Sequence, residues 1–157
     1  RRHRVITDAF EPGSTLKTFV IAAAIDEGLI KPASRFYGEK GRMKVGDKWI
    51  NEADVHHRFE WLTTTEILAY SSNIGAAKIG FMLGDEKLRK HLTNYGFGQR
   101  AGLDIPGEAK GILHPLPWRP HLLSNISFGH GISVTPLQLV MSYAAVANGG
   151  VLKTPLL

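Results

Sequence analysis

The sequence predicts a mainly α-helical domain that carries one short β-hairpin. Three observations favour this fold class: most of the chain divides into helices joined by short turns of Gly and Pro, several helix starts carry capping residues, and strand signals are few. With 157 residues, 43% of them hydrophobic and 21% charged, the chain has the size and composition of one globular domain with its own core.

The first helix is predicted to begin after Pro12-Gly13 and to end near Gly28. From Phe19 to Ile25 it is apolar on every side, a pattern typical of a helix buried all round rather than of a surface helix. A hairpin follows, because two strand-like segments flank Gly46-Asp47, which suits a two-residue turn with glycine first. These segments are Arg42–Val45 and Lys48–Ile50.

The second helix is predicted to begin at Thr63, because Glu66 completes a capping box three residues later. The polar break Ser71-Ser72-Asn73 separates it from a helix that runs from about Ile74 to Leu83 and ends at Gly84. An amphipathic helix then follows, with an apolar stripe at Leu88, Leu92 and Tyr95.

The stretch from Gly96 to about Val134 is rich in Gly and Pro, so we expect mainly ordered loop there. Within it, Gly96-Phe97-Gly98 is assigned to a turn, because it lacks the preceding strand and the further glycines of a phosphate-binding loop. The last helix has Thr135 as its cap and Gln138 completing a capping box, and it ends at Asn148-Gly149-Gly150.

Composition excludes several kinds of site. The net charge is +5, but its only dense cluster is Arg1, Arg2 and Arg4, so we expect no nucleic-acid binding. The absence of cysteine excludes disulfides and thiolate metal sites. His56-His57 lacks a third ligand at suitable spacing and is assigned to a solvated loop, so neither a metal nor a cofactor is expected. The longest apolar run is too short to span a bilayer.

Ser14 and Lys17 are the first candidates for chemistry. They lie three residues apart at the start of a predicted buried helix, so their side chains project from nearly the same face. The helix N-terminus offers unpaired N–H groups and partial positive charge, which favour an alkoxide and an oxyanion. Lys17 can act as a base only when neutral, and lowering its pKa from ~10.4 to ~7–8 takes about 4 kcal/mol, which an apolar environment supplies.

Each candidate also has a simpler interpretation. Ser14 alone can be a helix cap, and Lys17 a surface residue that snorkels to water. In Ser71-Ser72-Asn73, a serine can relay a proton and an amide can hold a substrate carbonyl, but Ser71 can equally cap the following helix. Ser-x-x-Lys and Ser-x-Asn each occur once in the chain, and their combination favours the catalytic interpretation.

The order of these motifs resembles a known family. Class B penicillin-binding proteins, especially the septal, cell-division type, are similar in the segment that leads to the nucleophile, in the Ser-x-Asn motif and in four later motifs. The resemblance covers essentially the whole chain. The similar segments are Arg4–Lys17, Ser71–Gly75, Gly96–Gly98, Gly102–Glu108, Phe128–Gln138 and Asn148–Gly150.

The resemblance implies the α/β fold of penicillin-binding proteins and β-lactamases, and the activity of a peptidoglycan D,D-transpeptidase. By the family's pattern, Ser14 attacks the D-Ala-D-Ala carbonyl of a stem peptide to form an acyl-enzyme, and Lys17 takes its proton. Ser71 relays a proton to the leaving D-alanine, and Asn73 positions the substrate amide and Lys17. An amine of a neighbouring stem then takes the acyl group, giving a cross-link. β-Lactam antibiotics would acylate the same serine.

The resemblance also implies partners and a location. The partners are peptidoglycan stem peptides and the proteins of cell-wall synthesis and division. The location is the periplasmic, extracytoplasmic face of the inner membrane, with an N-terminal transmembrane anchor outside this sequence.

One family motif is missing. The motif Lys-[Ser/Thr]-Gly should bind the substrate carboxylate, and its neighbourhood should supply an oxyanion N–H, but Lys153-Thr154-Pro155 and Lys17-Thr18-Phe19 both lack the glycine. Loss of one oxyanion donor costs about 10²–10³ in rate. Because strand signals are also few, we expect residues 1–157 to be a partial transpeptidase domain, with sheet strands before Arg1 and after Leu157. We expect the isolated chain to be inactive.

Two other functions stay open. A β-lactamase or D,D-carboxypeptidase of the same fold shares the serine–lysine pair, although Phe128–Gly131 and Val134–Gln138 favour the transpeptidase. A non-catalytic β-lactam-sensing module shares the pair as well, and activity on peptidoglycan separates it from the enzyme. His130, in the middle of the Gly-x-Gly loop, is expected to be structural.

Overall fold

The computed structural model describes residues 3–103 and 105–156. Arg1 and Arg2 of the basic cluster, Asp104 of the Gly102–Glu108 motif, and Leu157 lie outside the described residues. The described part is mainly helical, as predicted. Its helices are α1 (Arg4–Thr7), α2 (Lys17–Asp26), α3 (Thr64–Ala69), α4 (Asn73–Asn94), α5 (Pro120–Ser127) and α6 (Pro136–Ala147). Its strands are β1 (Arg35–Tyr37), β2 (Arg42–Val45), β3 (Lys48–Asn51) and β4 (Trp61–Thr63).

The core is built around α2. Phe19 is fully buried, and its ring lies 4.9–5.2 Å from three other rings, those of Tyr95, Phe97 and Tyr143. Val20, Ala23 and Ala24 are also fully buried, so the prediction of a buried helix is confirmed for most of its length. It is wrong at the C-terminal end, where Ile25 is 43% exposed.

The predicted hairpin is confirmed. β2 and β3 pair antiparallel with Val45 opposite Lys48, and Gly46 has a φ of +62° at the first turn position. Glycine adopts this left-handed backbone without steric cost, which suits a Gly-first turn. On its inner face, Val45 and Ile50 belong to an apolar cluster with Ile74 of α4, so the hairpin is held against the start of that helix.

A second small sheet was not predicted. β1 and β4 pair antiparallel, with Arg35 opposite Thr63. Each strand has three residues, which is too short for a clear alternating pattern, and the hairpin lies between them in sequence. Within the described residues, these two two-stranded sheets are the whole β structure apart from isolated bridges.

The predicted helix boundaries are confirmed where capping residues marked them. Thr63 accepts a hydrogen bond from Glu66 N and begins α3, and Thr135 accepts one from Gln138 N and begins α6. Gly84 interrupts α4 with φ 74° and ψ 165°, so two helical segments meet there as predicted. In the described residues, no helix combines the length and the apolar composition that a membrane crossing requires.

The prediction of loop from Gly96 to Val134 is wrong in part, because α5 lies inside it. Pro120 begins this helix without a side-chain cap, and the surrounding Gly and Pro residues hid it. Its apolar residues Leu123 and Ile126, three apart, were the signal that could have revealed it. The turn predicted at Gly96-Phe97-Gly98 is confirmed, and Phe97 is fully buried in the core.

The contact between α4 and α5 depends on Gly80. A Cβ added there would lie 1.8 Å from Ser127 Oγ. We expect Gly80→Ala to lower the free energy of unfolding by about 1–3 kcal/mol, because overpacking outweighs the better helix propensity of Ala. Urea unfolding followed by circular dichroism measures it. The double variant Gly80→Ala/Ser127→Ala should recover part of the loss, and no recovery would contradict this explanation.

Candidate active site

Ser14 lies in a tight 3-10 turn, Gly13–Leu16, that leads directly into α2. The serine is exposed, whereas Lys17, the first residue of α2, is fully buried. Lys17 Nζ lies 3.1 Å from Ser14 Oγ, within hydrogen-bond distance. The structure therefore contradicts the surface interpretation of Lys17. No side-chain capping hydrogen bond is made at the start of this turn or of α2, which removes the cap interpretation of Ser14.

Ser71 and Asn73 reach the same lysine from the junction between α3 and α4. Lys17 Nζ donates to the backbone oxygen of Ser71 at 2.5 Å, and it lies 2.9 Å from Ser71 Oγ. It also donates to Asn73 Oδ1 at 2.8 Å. The four residues singled out in the sequence thus meet around one nitrogen, although the serine–lysine pair and the Ser71–Asn73 pair are far apart in the chain.

Ser71 has an unusual backbone conformation. Its φ is +57°, in the left-handed region that residues other than Gly rarely adopt. Such conformations persist only where the surroundings enforce them, and they occur often at functional sites. The structure also corrects the capping interpretation of Ser71, because Ser72 is the residue that caps α4, accepting from Gly75 N at 2.9 Å.

Burial changes the proton affinity of Lys17. Removal from water lowers the pKa of Lys17 from 10.5 to about 8, and the negative charge of Glu52 opposes part of this effect. A neutral amine has two N–H donors and one lone pair. The donors can serve Ser71 O and Asn73 Oδ1 while the lone pair accepts the Ser14 hydroxyl proton. The geometry therefore suits a lysine base acting on a serine nucleophile.

Glu52, just past the end of β3, is a site residue that sequence reasoning missed. Its carboxylate accepts hydrogen bonds from Ser72 Oγ at 2.5 Å and from Asn73 N at 2.6 Å. Asn73 is held on its other side, because its Nδ2 donates to Asn51 O at 3.0 Å. No fixed spacing links Glu52 to Ser72, so only the docking of the hairpin on α4 reveals the contact.

The loop before Ser14 is fixed by the loop that follows α5. Gly13 N donates to Gly129 O at 3.0 Å, and Phe10 pairs with Val134 through two backbone hydrogen bonds. Glu11 accepts from Gly131 N at 2.8 Å and lies 3.0 Å from His130 Nδ1. The Gly131 N–H, and then His130, hold the pKa of Glu11 below its usual range. The His130 side chain therefore contacts the loop that leads to Ser14, through Glu11, and it also packs against the ring of Phe128.

The remaining candidates lie elsewhere. Lys153-Thr154-Pro155 follows α6 and lines a recess with Tyr95 and Gln138, which contains none of the four site residues. His57 packs against the ring of Phe59, 4.8 Å between centroids. Among residues 3–103 and 105–156, no group of three or more His, Cys, Asp or Glu side chains is arranged to hold a metal.

Comparison with known sequences gives a consistent assignment. A family model described as the penicillin binding protein transpeptidase domain matches residues 1–157. Stage V sporulation protein D of Bacillus subtilis is 37% identical over 156 residues, 98% of this chain and 24% of that protein. The probable peptidoglycan D,D-transpeptidase PenA of Neisseria gonorrhoeae is 35% identical over 153 residues, 97% of this chain and 26% of that protein.

Solved structures agree with the sequence matches. The transpeptidase domain of penicillin-binding protein 3 from Burkholderia pseudomallei superposes with a TM-score of 0.92 at 34% identity, covering 98% of this chain and 46% of that one. A peptidoglycan glycosyltransferase from Burkholderia ambifaria gives a TM-score of 0.93 at 33% identity, covering 98% and 48%.

The chain thus spans about a quarter of these curated relatives and about half of the solved chains. The expected α/β penicillin-binding fold is confirmed, and this chain carries a mainly helical part of it. The chain belongs to the penicillin-binding protein transpeptidase domain family.

Proposed function

We propose that this chain is the nucleophile-bearing part of a peptidoglycan D,D-transpeptidase that works through an acyl-enzyme on Ser14. One observation carries the proposal: Lys17 Nζ lies within hydrogen-bond distance of Ser14, Ser71 and Asn73 at once. The names of several relatives, which include probable peptidoglycan D,D-transpeptidases, support the reaction class.

In the proposed mechanism, neutral Lys17 removes the proton of Ser14 Oγ as this oxygen bonds to the carbonyl carbon of the penultimate D-alanine. The resulting tetrahedral intermediate expels the terminal D-alanine, whose nitrogen receives a proton through Ser71. An amine of a second stem peptide then attacks the ester carbonyl, gives up a proton along the same path and releases Ser14. Asn73 holds Lys17 through Oδ1, and its Nδ2 faces Asn51 O.

We infer that a longer protein supplies the rest of the domain, including sheet strands and a Lys-[Ser/Thr]-Gly motif. Exposed apolar side chains on α2 and α6 support this inference. The two helices touch where the ring of Phe19 on α2 meets the ring of Tyr143 on α6, with 4.9 Å between the centroids. Ile25, Val140 and Val146 are 42–63% exposed. A sheet packed on these helices would cover them, as a transpeptidase fold requires.

The location and the partners that we propose follow from the proposed substrate and from the relatives. Peptidoglycan lies outside the cytoplasmic membrane, so the longer protein is proposed to act on the extracytoplasmic face, held by an anchor outside this chain. Its proposed partners are stem peptides and the proteins of cell-wall synthesis and division. β-Lactams are proposed as covalent inhibitors. In support, penicillin-binding protein 3 of Mycobacterium tuberculosis, a structural relative, has been solved in complex with aztreonam.

A stable acyl-enzyme, rather than rapid β-lactam hydrolysis, is supported by the surroundings of Ser14. In class A β-lactamases a glutamate activates the water for deacylation. Among the described residues, Glu52 is the carboxylate that contacts the Ser71–Asn73 segment, and both of its oxygens are already taken by Ser72 and Asn73 rather than free to activate a water. We therefore favour the transpeptidase over a β-lactamase. A β-lactam sensor shares this geometry and differs by lacking cross-linking activity.

Labelled penicillin tests the proposal. The longer protein should carry a stable adduct on Ser14, located by mass spectrometry of its peptides, and should join stem peptides in a cross-linking assay. The isolated chain should label weakly or not at all, because it lacks the third motif. An adduct on another residue, or fast release of hydrolysed penicillin, would refute the assignment.

Gly129 should be indispensable for placing Ser14. A Cβ added at Gly129 would lie 1.8 Å from Gly13 O, and φ is +87°. We expect Gly129→Ala in the longer protein to lower the acylation rate constant for penicillin by at least about 100-fold, as a misplacement of about 1 Å does.

Gly131→Ala is the matched control for this variant. Gly131 also has a left-handed φ, +71°, but the nearest atom to its added Cβ would be the end of the Leu122 side chain, at 3.0 Å, and the next atoms lie at 4.0 Å. The control should keep most of the acylation rate. Equal losses in both variants, measured per folded molecule, would show that backbone strain alone is responsible.

A further inference from the structure

Glu52 is a buried carboxylate without an ion-pair partner. It is 7% exposed, and no Lys, Arg or His nitrogen among the described residues lies within 4.0 Å of its oxygens. A buried, unpaired charge is unfavourable unless hydrogen bonds and local dipoles compensate it. Both oxygens are used: Oε1 accepts from Ser72 Oγ and Oε2 from Asn73 N.

The position of these donors explains how the charge is tolerated. Asn73 N is the first N–H of α4, whose first helical segment runs from Asn73 to the interruption at Gly84, and Ser72 is its N-cap. The N-terminus of a helix carries unpaired N–H groups and partial positive charge, which stabilise a carboxylate. Glu52 thus joins the end of the β2–β3 hairpin to the start of α4.

This junction is also where the partners of Lys17 come from. Ser71 directly precedes the capping serine and holds its left-handed backbone there, and Asn73 directly follows it. Each of these residues offers an oxygen within 2.9 Å of Lys17 Nζ. A shift of the junction would therefore move both oxygens relative to the lysine.

On the basis of the proposed function, we propose that Glu52 is a positioning residue, which fixes Ser71 and Asn73 against Lys17 through Ser72 Oγ and Asn73 N. Its hydrogen bonds go to Ser72 and Asn73 and not to Ser14, so it acts through other residues.

Glu52 has a second, electrostatic effect on the same lysine. Its negative charge raises the pKa of Lys17, against the lowering caused by burial. The residues that contact Lys17 Nζ directly are uncharged: Ser14, Ser71 and Asn73. The charge that raises the pKa of Lys17 is therefore that of Glu52. The other charged or titratable side chains of the recess that Glu52 lines are Lys40, Arg42, Asp54, His57 and Arg58.

The two effects predict different outcomes for two substitutions in the longer protein. Glu52→Gln keeps the size but removes the charge and one of the acceptors, so penicillin acylation per folded molecule should fall about 10- to 100-fold. The acidic limb of its pH–rate profile should move to lower pH, because Lys17 loses a proton more easily. Glu52→Asp keeps the charge but is too short to bridge both donors, so its rate should fall while the limb stays at the wild-type position.

Glu86→Gln is the control, since it removes one exposed carboxylate on the surface of α4 and should change neither the rate nor the limb. Thermal unfolding gives the folded fraction by which each rate is normalised. If Glu52 served only to stabilise the fold, its substitution would lower the folded fraction but would leave the acidic limb of the pH–rate profile in place. Normal rates per folded molecule in both variants, or an unmoved limb in Glu52→Gln, would overturn the inference.

The experiments distinguish a failure of the proposed function from a failure of the role of Glu52. Wild-type protein without a Ser14 adduct would refute the transpeptidase proposal and this inference with it. Labelled wild type together with fully active Glu52 variants would refute the role of Glu52 alone. If Glu52→Gln does not fold, the rate of Glu52→Asp decides the positioning role, because that variant retains the charge.

Discussion

Ser14→Ala should abolish covalent labelling of the longer protein by penicillin, at every pH and after long incubation. The hydroxyl oxygen of Ser14 lies 3.1 Å from Lys17 Nζ, in an exposed turn where a substrate can approach it. The methyl side chain of the introduced alanine has no nucleophilic atom. Without the serine oxygen there is no route to an acyl-enzyme. Intact-protein mass spectrometry measures the adduct, and unfolding by urea shows that the variant is folded.

The control for this substitution is Thr65→Ala, which deletes one exposed hydroxyl on α3. It should leave labelling unchanged. The adjacent Ser71 hydroxyl is the main competitor as nucleophile, since Ser71 Oγ also lies 2.9 Å from Lys17 Nζ. A penicillin adduct that persists in Ser14→Ala and maps to Ser71 would reverse the proposed roles of the two serines.

Local signals in the sequence were sufficient for much of the fold. The capping boxes at Thr63 and Thr135, and the turn glycine at Gly46, depend on residues within three positions, so their geometry follows from their spacing. The pairing of β1 with β4 and the helix α5 were missed for opposite reasons. The strands β1 and β4 form only by pairing with each other across a long stretch of sequence. The only start signal of α5 is Pro120, which is hard to recognise among the neighbouring prolines and glycines.

The candidate site divides in the same way. The three-residue spacing of Ser14 and Lys17 predicts their contact, whereas the arrival of Ser71 and Asn73 was predicted only through the family resemblance. Glu52 and Gly129 carry no local signature of their roles. Each acts through a contact between distant elements, the hairpin on α4 for Glu52 and the two loops beside Ser14 for Gly129, so their roles need the tertiary structure.

Lys17→Ala should lower the rate of acylation by about 10²–10⁴-fold, the usual contribution of a general base. The loss should be largest above pH 8, because the wild-type rate rises as Lys17 becomes neutral, with a pKa of about 8. Stopped-flow acylation by a chromogenic cephalosporin, from pH 6 to 10, measures both profiles. A wild-type profile without an acidic limb near this pKa would contradict the assignment of Lys17 as the base.

Lys17→Arg separates the positive charge of this residue from its basicity. Arginine keeps donors for Ser71 O and Asn73 Oδ1, but it stays protonated over the whole measured pH range and therefore cannot accept a proton. We therefore expect a rate as low as that of Lys17→Ala, with no rise towards alkaline pH. If Lys17→Arg were as active as the wild type, the residue would serve as a fixed cation rather than as a base.

The same lysine should make stability depend on pH. Its pKa is depressed from 10.5 to about 8 by folding, so between these values the unfolded chain binds the additional proton. Stability should therefore rise as the pH increases through this window, by about 3 kcal/mol in total. Lys17→Met has no proton to lose and should abolish this rise, which urea unfolding at pH 7.5 and pH 10.5 would measure. Burying the protonated Lys17 costs free energy, and this cost destabilises the folded state near neutral pH. The same cost lowers the pKa of Lys17 and so makes the neutral, basic form available to the site. A serine–lysine site of this kind must be less stable near pH 7 than its own packing allows.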